Sequence, residues 1–152
     1  MKIRIIGGSG SGKTHLGKIL SLKYVIPHFD LDDIFWDNQA SSYGIKTSPV
    51  LRDKKLNEIL KSDHWIIEGV YYGEWTKRSF LEADQVIILT PNVYLQHWRV
   101  IIRWFKRKLG LLPAKKKETL KGLYELINWN HRYNRNELQK IKRLYSSCFK
   151  QG

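Results

Sequence analysis

Eight consecutive residues, Gly7-Gly8-Ser9-Gly10-Ser11-Gly12-Lys13-Thr14, carry the most explicit chemistry in this sequence. The pattern Gly-x4-Gly-Lys-Thr is the phosphate-binding loop signature. Its glycines permit φ > 0 and let backbone N–H groups approach anionic oxygens. A helix starting at Thr14 would aim the positive end of its dipole at the same point. Lys13 offers a cation to β- and γ-phosphates, and the Thr14 hydroxyl suits Mg²⁺. Gly8, Ser9, Gly10, Ser11, Gly12, Lys13 and Thr14 are therefore expected to hold a nucleotide, ATP or GTP, together with Mg²⁺.

Acidic residues supply the second set. Asp30, Asp32 and Asp33 follow an apolar stretch. If that stretch continues as a strand, alternation aims Asp30 and Asp32 the same way. Carboxylates there could hold Mg²⁺ through water or take a proton from an acceptor hydroxyl; the competing use is a solvated loop and helix cap. Glu68 closes the apolar run Trp65-Ile66-Ile67, where an acid can orient the waters of a metal; a loop carboxylate without a role is the alternative. Asp30 is the candidate metal residue beside Thr14. Asp32, Glu68 and Trp36 are candidates for the acceptor side, where Tyr43, Tyr71 and Tyr72 could add an aromatic wall, although core packing is the commoner use of such residues.

Arg99, Arg103 and Arg107 recur four apart. Phosphoryl transfer leaves a protein little covalent work, so stabilisation of charge dominates. Arg99 and Arg103 would provide it beside Lys13, unless the three form a basic solvent face. Lys115, Lys116 and Lys117 read as solvated. The five histidines lack metal-ligand spacing, and one cysteine, Cys148, makes a structural zinc site a poor reading.

Positioning these groups requires alternating elements. Residues 2–6 read as a buried strand, followed by a helix from Thr14 to about Lys23 with Leu16, Ile19 and Leu20 on one face. A short strand falls at 27–30. Ser48 reads as an N-cap with Pro49 at the first helical position of a helix reaching about Lys61. Strands at 65–67 and 86–89 flank a short helix at 75–83. From Asn92 the pattern is helical. Leu95, Trp98, Ile102, Phe105 and Leu109 form an apolar stripe expected to pack on the core. Gly110 ends that helix, and Pro113 precedes a lysine-rich helical region running to about Tyr145 with a break near Asn128 to Asn130. Alternating strands and helices predict an α/β fold with a mainly parallel sheet, the site lying at one edge of it.

The 152 residues suit one domain, with 42% of them hydrophobic. A lone cysteine fits a reducing compartment, and neither a secretory segment nor a run of ~18 apolar residues is present, so a cytoplasmic location is expected. The net charge of +13 is concentrated. Residues 99–152 hold 15 Lys and Arg against 3 Asp and Glu. Such a third could face nucleic acid, an anionic membrane or nucleotide phosphates.

Together the loop, the acids after the second strand, the acid-Gly pair after the third and the arginine-rich helix after the fourth resemble the small kinases of the adenylate kinase and shikimate kinase group. The stretch 5–16, the run His28-Phe29-Asp30-Leu31-Asp32 and the run Trp65-Ile66-Ile67-Glu68-Gly69 look closest to bacterial DNA topology modulation proteins. The resemblance implies a P-loop NTPase fold, three layers α/β/α, with strand order 2-3-1-4. It implies a core of about 1–91 and a basic helical lid with C-terminal helices over about 92–145. It makes Asp30-x-Asp32 a carboxylate pair for metal and acceptor, Arg78 an acceptor-side arginine, and Arg99 and Arg103 the lid arginines. The group usually adds a fifth strand after the lid, for which residues 145–152 leave little chain.

Three functions compete. The first is a kinase moving the γ-phosphoryl group of ATP to a small hydroxyl- or phosphate-bearing acceptor. The second is a nucleotide-regulated nucleic-acid binder working through the basic third, although no DNA-reading motif appears. The third, attachment to a membrane surface through residues 92–112, ranks last because the apolar stripe is expected to be buried.

Overall fold

The computed structural model describes residues 1–37, 44–113 and 119–145. Tyr43, the lysines at 115–117 and Cys148 lie outside them. Four parallel strands form one sheet in the order β2-β3-β1-β4. They are β1 (Lys2–Gly7), β2 (His28–Asp30), β3 (Trp65–Gly69) and β4 (Gln85–Leu89). Parallel strands covered on both faces read as apolar runs, as Trp65 to Ile67 does and as Ile3 to Ile6 does apart from Arg4. β4 is an edge of the sheet, and among the described residues only helices follow it.

Alternation along β1 divides the core. Ile3 and Ile5 pack with Ile26 and Ile66 under Leu16 and Leu20 of α1 (Lys13–Tyr24). Ile6 faces the other way, toward Phe80 of α4 (Lys77–Leu81) and Leu138 and Ile141 of α7 (Leu138–Leu144). A third cluster joins Trp65 and Ile67 to α2 (Leu31–Phe35) and α3 (Pro49–Leu60). The Ser48 side chain caps α3 at Leu51 N–H, with Pro49 in its first turn, as its sequence predicts.

Arg4 is wholly buried in the central strand. Its guanidinium donates to the carbonyls of Ile5 at 2.6 Å, Ile67 at 3.2 Å and Tyr71 at 2.8 Å, and lies 4.8 Å from the Phe80 ring centre. Burial lowers its pKa to about 10, against the opposing pull of Tyr133 and Glu68. An apolar residue would lose these three contacts, the one to the Tyr71 carbonyl beyond the end of β3 among them. Arg4 thus ties the chain leaving β3 to β1, next to the strand ends that carry the acids.

Three expectations are corrected. The strand of 27–30 does not continue past Asp30, because α2 begins at Leu31 and Asp30 caps it. Strand alternation therefore cannot align Asp30 with Asp32. The apolar stripe of α5 (Val93–Lys108) does not pack on the core either. The buried residues of α5 are Gln96, Val100 and Trp104, while Leu95, Trp98, Phe105 and Leu109 are exposed. No break occurs near Asn128 to Asn130: α6 (Leu120–Arg132) runs into a π turn at Tyr133–Glu137 and then α7. Among the described residues no helix is long and apolar enough to cross a membrane.

The rotation of α5 is measurable. Replacing Trp104 by Ala should cost about 3–5 kcal/mol by urea unfolding, as for other buried large side chains. Replacing Trp98 by Ala should change stability by less than about 0.5 kcal/mol. The reverse ranking would mean that the apolar stripe packs inward after all.

Candidate functional site

The phosphate loop links β1 to α1. Gly10 has φ +75°, and a Cβ there would meet the Gln96 carbonyl oxygen at 2.6 Å, so this position requires glycine on two counts. Gly12, also left-handed at φ 98°, precedes α1, which starts at Lys13, one residue before the expected Thr14. Lys13 Nζ donates to the Gly8 carbonyl at 2.8 Å. Burial pulls the lysine below its usual range, while Glu68, Asp32 and Asp30 pull it back up and Arg103 opposes them. These electrostatic partners bring Lys13, Arg103 and the three acids into one neighbourhood.

The register Asp30↔Glu68 places two carboxyl-bearing residues side by side at the ends of β2 and β3. Asp30 Oδ1 accepts from Asp32 N–H at 2.8 Å. Burial, then Glu68 and Asp32, push its pKa up to about 6. Glu68 is only 1% exposed. Burial alone would raise its carboxyl, but His28, Thr14 and Lys13 outweigh it and hold Glu68 below the usual glutamate range. His28 Nε2 lies 3.7 Å from Glu68 Oε1, close enough to attract and too far to hydrogen-bond, so both atoms are buried without a hydrogen-bond partner. Asp32 accepts from the Tyr71 hydroxyl at 2.8 Å. Thr14, Asp30 and Glu68 form an all-oxygen donor set of the kind hard cations take. Among the described residues no group of three His, Cys, Asp or Glu could hold a metal ion unaided.

On the acceptor side, Trp36 closes α2 and meets Phe35 edge to face at 5.0 Å. Phe35 stacks on Tyr71 at 4.5 Å, and Arg52 lies 4.5 Å from the Trp75 ring centre. Tyr72 instead bonds Glu137. Arg78 is not drawn into this group: it is exposed on α4, bonded to Asn57 at 2.7 Å and Glu82 at 2.6 Å. Arg99 and Arg103 do reach the loop. Arg99 donates to the Gly10 carbonyl at 3.3 Å, and Arg103 to the Ser9 hydroxyl at 2.9 Å.

Three amides that sequence reasoning missed complete the site. Asn130 Oδ1 accepts from Ser9 N–H at 2.8 Å, and its Nδ2 donates to the Ser9 carbonyl at 3.0 Å. Gln96 Oε1 accepts from Asn130 at 3.3 Å and from Asn134 at 3.1 Å. Gln96 Nε2 donates to the Pro91 carbonyl and to Asn134 Oδ1, both at 2.9 Å. A Cβ on Gly8 would lie 2.4 Å from Asn130 Oδ1 and 2.8 Å from Gln96 Oε1, so the amides need glycine there. Gln96 and Asn130 are fully buried, and Asn134 sits in the π turn, a feature frequent at functional sites. The signal for them was present: Gln96 shares a helix face with Val100 and Trp104, and Asn130 and Asn134 stand four apart.

No family model matches the sequence, and no curated protein matches it significantly. Solved structures do match. A shikimate kinase from Bacteroides thetaiotaomicron aligns over 99% of this chain and 84% of its own, with TM-score 0.58 and 15% identity. A shikimate kinase from Acinetobacter baumannii in complex with shikimate aligns over 96% and 93%, with TM-score 0.52 and 20% identity. A gluconokinase from Sinorhizobium meliloti 1021 aligns over 91% and 96%, with TM-score 0.51 and 15% identity. None of these three is a DNA topology modulation protein. Such identities establish the fold: the chain has the α/β P-loop kinase fold, with a four-stranded parallel sheet.

Two outcomes follow from this geometry. A raised Asp30 pKa means that folding disfavours its charge. The cost is present above the folded value of about 6, shrinks as pH falls through it, and is gone below the ordinary value of 3.8. Asp30→Asn keeps a capping oxygen and should stabilise the fold by about 1–3 kcal/mol at pH 8 and by nearly nothing at pH 4, read as thermal midpoints across pH. Asn130→Asp would set a carboxylate against the Ser9 carbonyl. It should weaken calorimetric binding of nucleotide about tenfold or more at pH 8.

Proposed function

We propose that this protein is an ATP-dependent phosphotransferase that moves the γ-phosphoryl group to a small hydroxyl- or phosphate-bearing acceptor. The observation that carries the reading is the convergence on one loop of Lys13, two arginines from α5 and the acids at the ends of β2 and β3. The likeness to solved small-molecule kinases supports it at the level of the fold.

In this reading the loop from Gly8 to Thr14 binds the triphosphate. Mg²⁺, carried by the Thr14 hydroxyl and, directly or through water, by Asp30, would neutralise charge on the β- and γ-oxygens. Lys13 leaves the Gly8 carbonyl for those oxygens. Arg99 and Arg103, already against Gly10 and Ser9, stabilise the transferring group. The acceptor lies between Asp32, Trp36 and Glu68. Asp32, oriented by the Tyr71 hydroxyl, takes the acceptor's proton as its oxygen bonds to phosphorus and the bond to the β-phosphate oxygen breaks. Arg78 joins only if α4 gives up its pair with Glu82.

The test is ADP release from Mg·ATP across a panel of nucleosides, nucleoside monophosphates, small hydroxy acids and duplex DNA. One small acceptor should accelerate release, and Lys13→Ala should reduce the accelerated rate about 10²–10³-fold, as loss of a preorganised charge contact does. Undiminished turnover in that variant, or acceleration by DNA alone, would sink the proposal.

A further inference from the structure

Helix α5 has two sides of opposite character. Its buried residues, Gln96, Val100 and Trp104, stand four apart. At 3.6 residues per turn, Leu95, Trp98, Ile102, Phe105 and Leu109 occupy an arc of about 80° on the opposite side. That side is largely open: Leu95 is 42% exposed, Trp98 61%, Phe105 53% and Leu109 71%, with Ile102 half-buried among them. Single exposed apolar residues are ordinary, but a contiguous strip of large ones marks an interaction surface.

The charges select the occupant. α5 carries Arg99, Arg103, Lys106, Arg107 and Lys108 and no acidic residue. By the same helical spacing Lys106 borders the stripe on one side, while on the other Lys108 lies beyond Phe105 with its ammonium 4.8 Å from the Trp104 ring centre, and both lysines are exposed. A second copy seated on this face would oppose two helices without a single acid between them, a repulsive arrangement. Nucleic acid would answer the charge and leave the Leu, Trp and Phe side chains in water. A bilayer with anionic headgroups satisfies both at once. Large apolar and aromatic side chains enter the boundary between headgroups and acyl chains while lysines at the margin meet lipid phosphates. The burial expected from the sequence had argued against such a role, and that burial does not occur.

We propose that the outward face of α5 docks this protein on an anionic lipid bilayer, with Leu95, Trp98, Phe105 and Leu109 inserted and Lys106 and Lys108 on the headgroups. Because Arg99 and Arg103 of the same helix touch Gly10 and Ser9, docking sets the phosphate loop close to the lipid surface. The inference is independent of the kinase reading, since it rests on the side of α5 that the loop does not use.

Flotation of the full chain with vesicles tests it. Vesicles of equal parts phosphatidylglycerol and phosphatidylcholine should carry the protein; phosphatidylcholine alone should not, and high salt should weaken the association. Trp98→Ser with Phe105→Ser should lower partitioning about tenfold or more with the unfolding midpoint unchanged. Lys106→Glu with Lys108→Glu should lower it at least about 25-fold, at about fivefold per basic residue removed. Absence of binding to the anionic vesicles overturns the proposal, as does undiminished binding by the Trp98 and Phe105 double variant. Sedimentation showing a dimer that this double variant dissociates would overturn it in favour of a second copy. Duplex DNA held through Lys106 and Lys108 in place of vesicles would overturn it in favour of nucleic acid.

Discussion

A phosphate-binding loop is backbone with neither sheet nor helix partners, and the placement of the helices beyond β4 follows from that constraint. Polar main-chain groups withdrawn from water must find partners. At Ser9 the N–H and the carbonyl are both taken by Asn130 of α6. At Gly8 the carbonyl is taken by Lys13, and at Gly10 by Arg99 of α5. Gln96 then joins α5 to Asn130 and Asn134, closing a network in which each amide serves as both donor and acceptor. Buried amides of this kind stabilise only when fully satisfied. The network therefore prescribes the relative setting of α5, α6 and the loop more sharply than apolar contact would. Glycine at position 8 is part of the same constraint, since three amide atoms occupy the space of its missing side chain.

That setting has a cost and a consequence. Turning Gln96 inward turns Leu95, Trp98 and Phe105 outward, because residues on opposite sides of one helix cannot both pack on one core. Val100 and Trp104, in line with Gln96, supply the apolar contact instead. The arginines between the two sides are thereby brought to Ser9 and Gly10. The cationic helix, the loop and the exposed apolar strip are thus one arrangement seen from three directions.

The acids show a second balance. Asp30 and Glu68 are neighbours across β2 and β3, and both are largely withdrawn from water. One is held ionised by Lys13, Thr14 and His28, and the other has its pKa pushed up toward neutrality. Neighbouring carboxyls therefore differ in their readiness to carry charge, because one has cationic and hydroxyl partners and the other has mainly acids beside it. Their strand ends are tied through Arg4, whose guanidinium binds Ile67 and Tyr71 while the Tyr71 hydroxyl binds Asp32.

Much of this was legible in the residues alone. The loop from Gly7 to Thr14, the four strands and the Ser48 cap follow from glycine chemistry, apolar runs and capping, all local in the chain. The strand order came from resemblance. Tertiary structure decided the rest. Periodicity tells which residues share a helix face but not which face turns inward. For α5 that choice depends on Asn130 and Asn134, which lie 34 and 38 residues away in the sequence. The position of Arg78 likewise depended on partners in α3 and α4, whereas the end of β2 at Asp30 was set by a local cap on Asp32 N–H, the use of these acids that the strand reading had set aside. Local sequence determines what each segment can form; partners distant in the chain decide which way it faces.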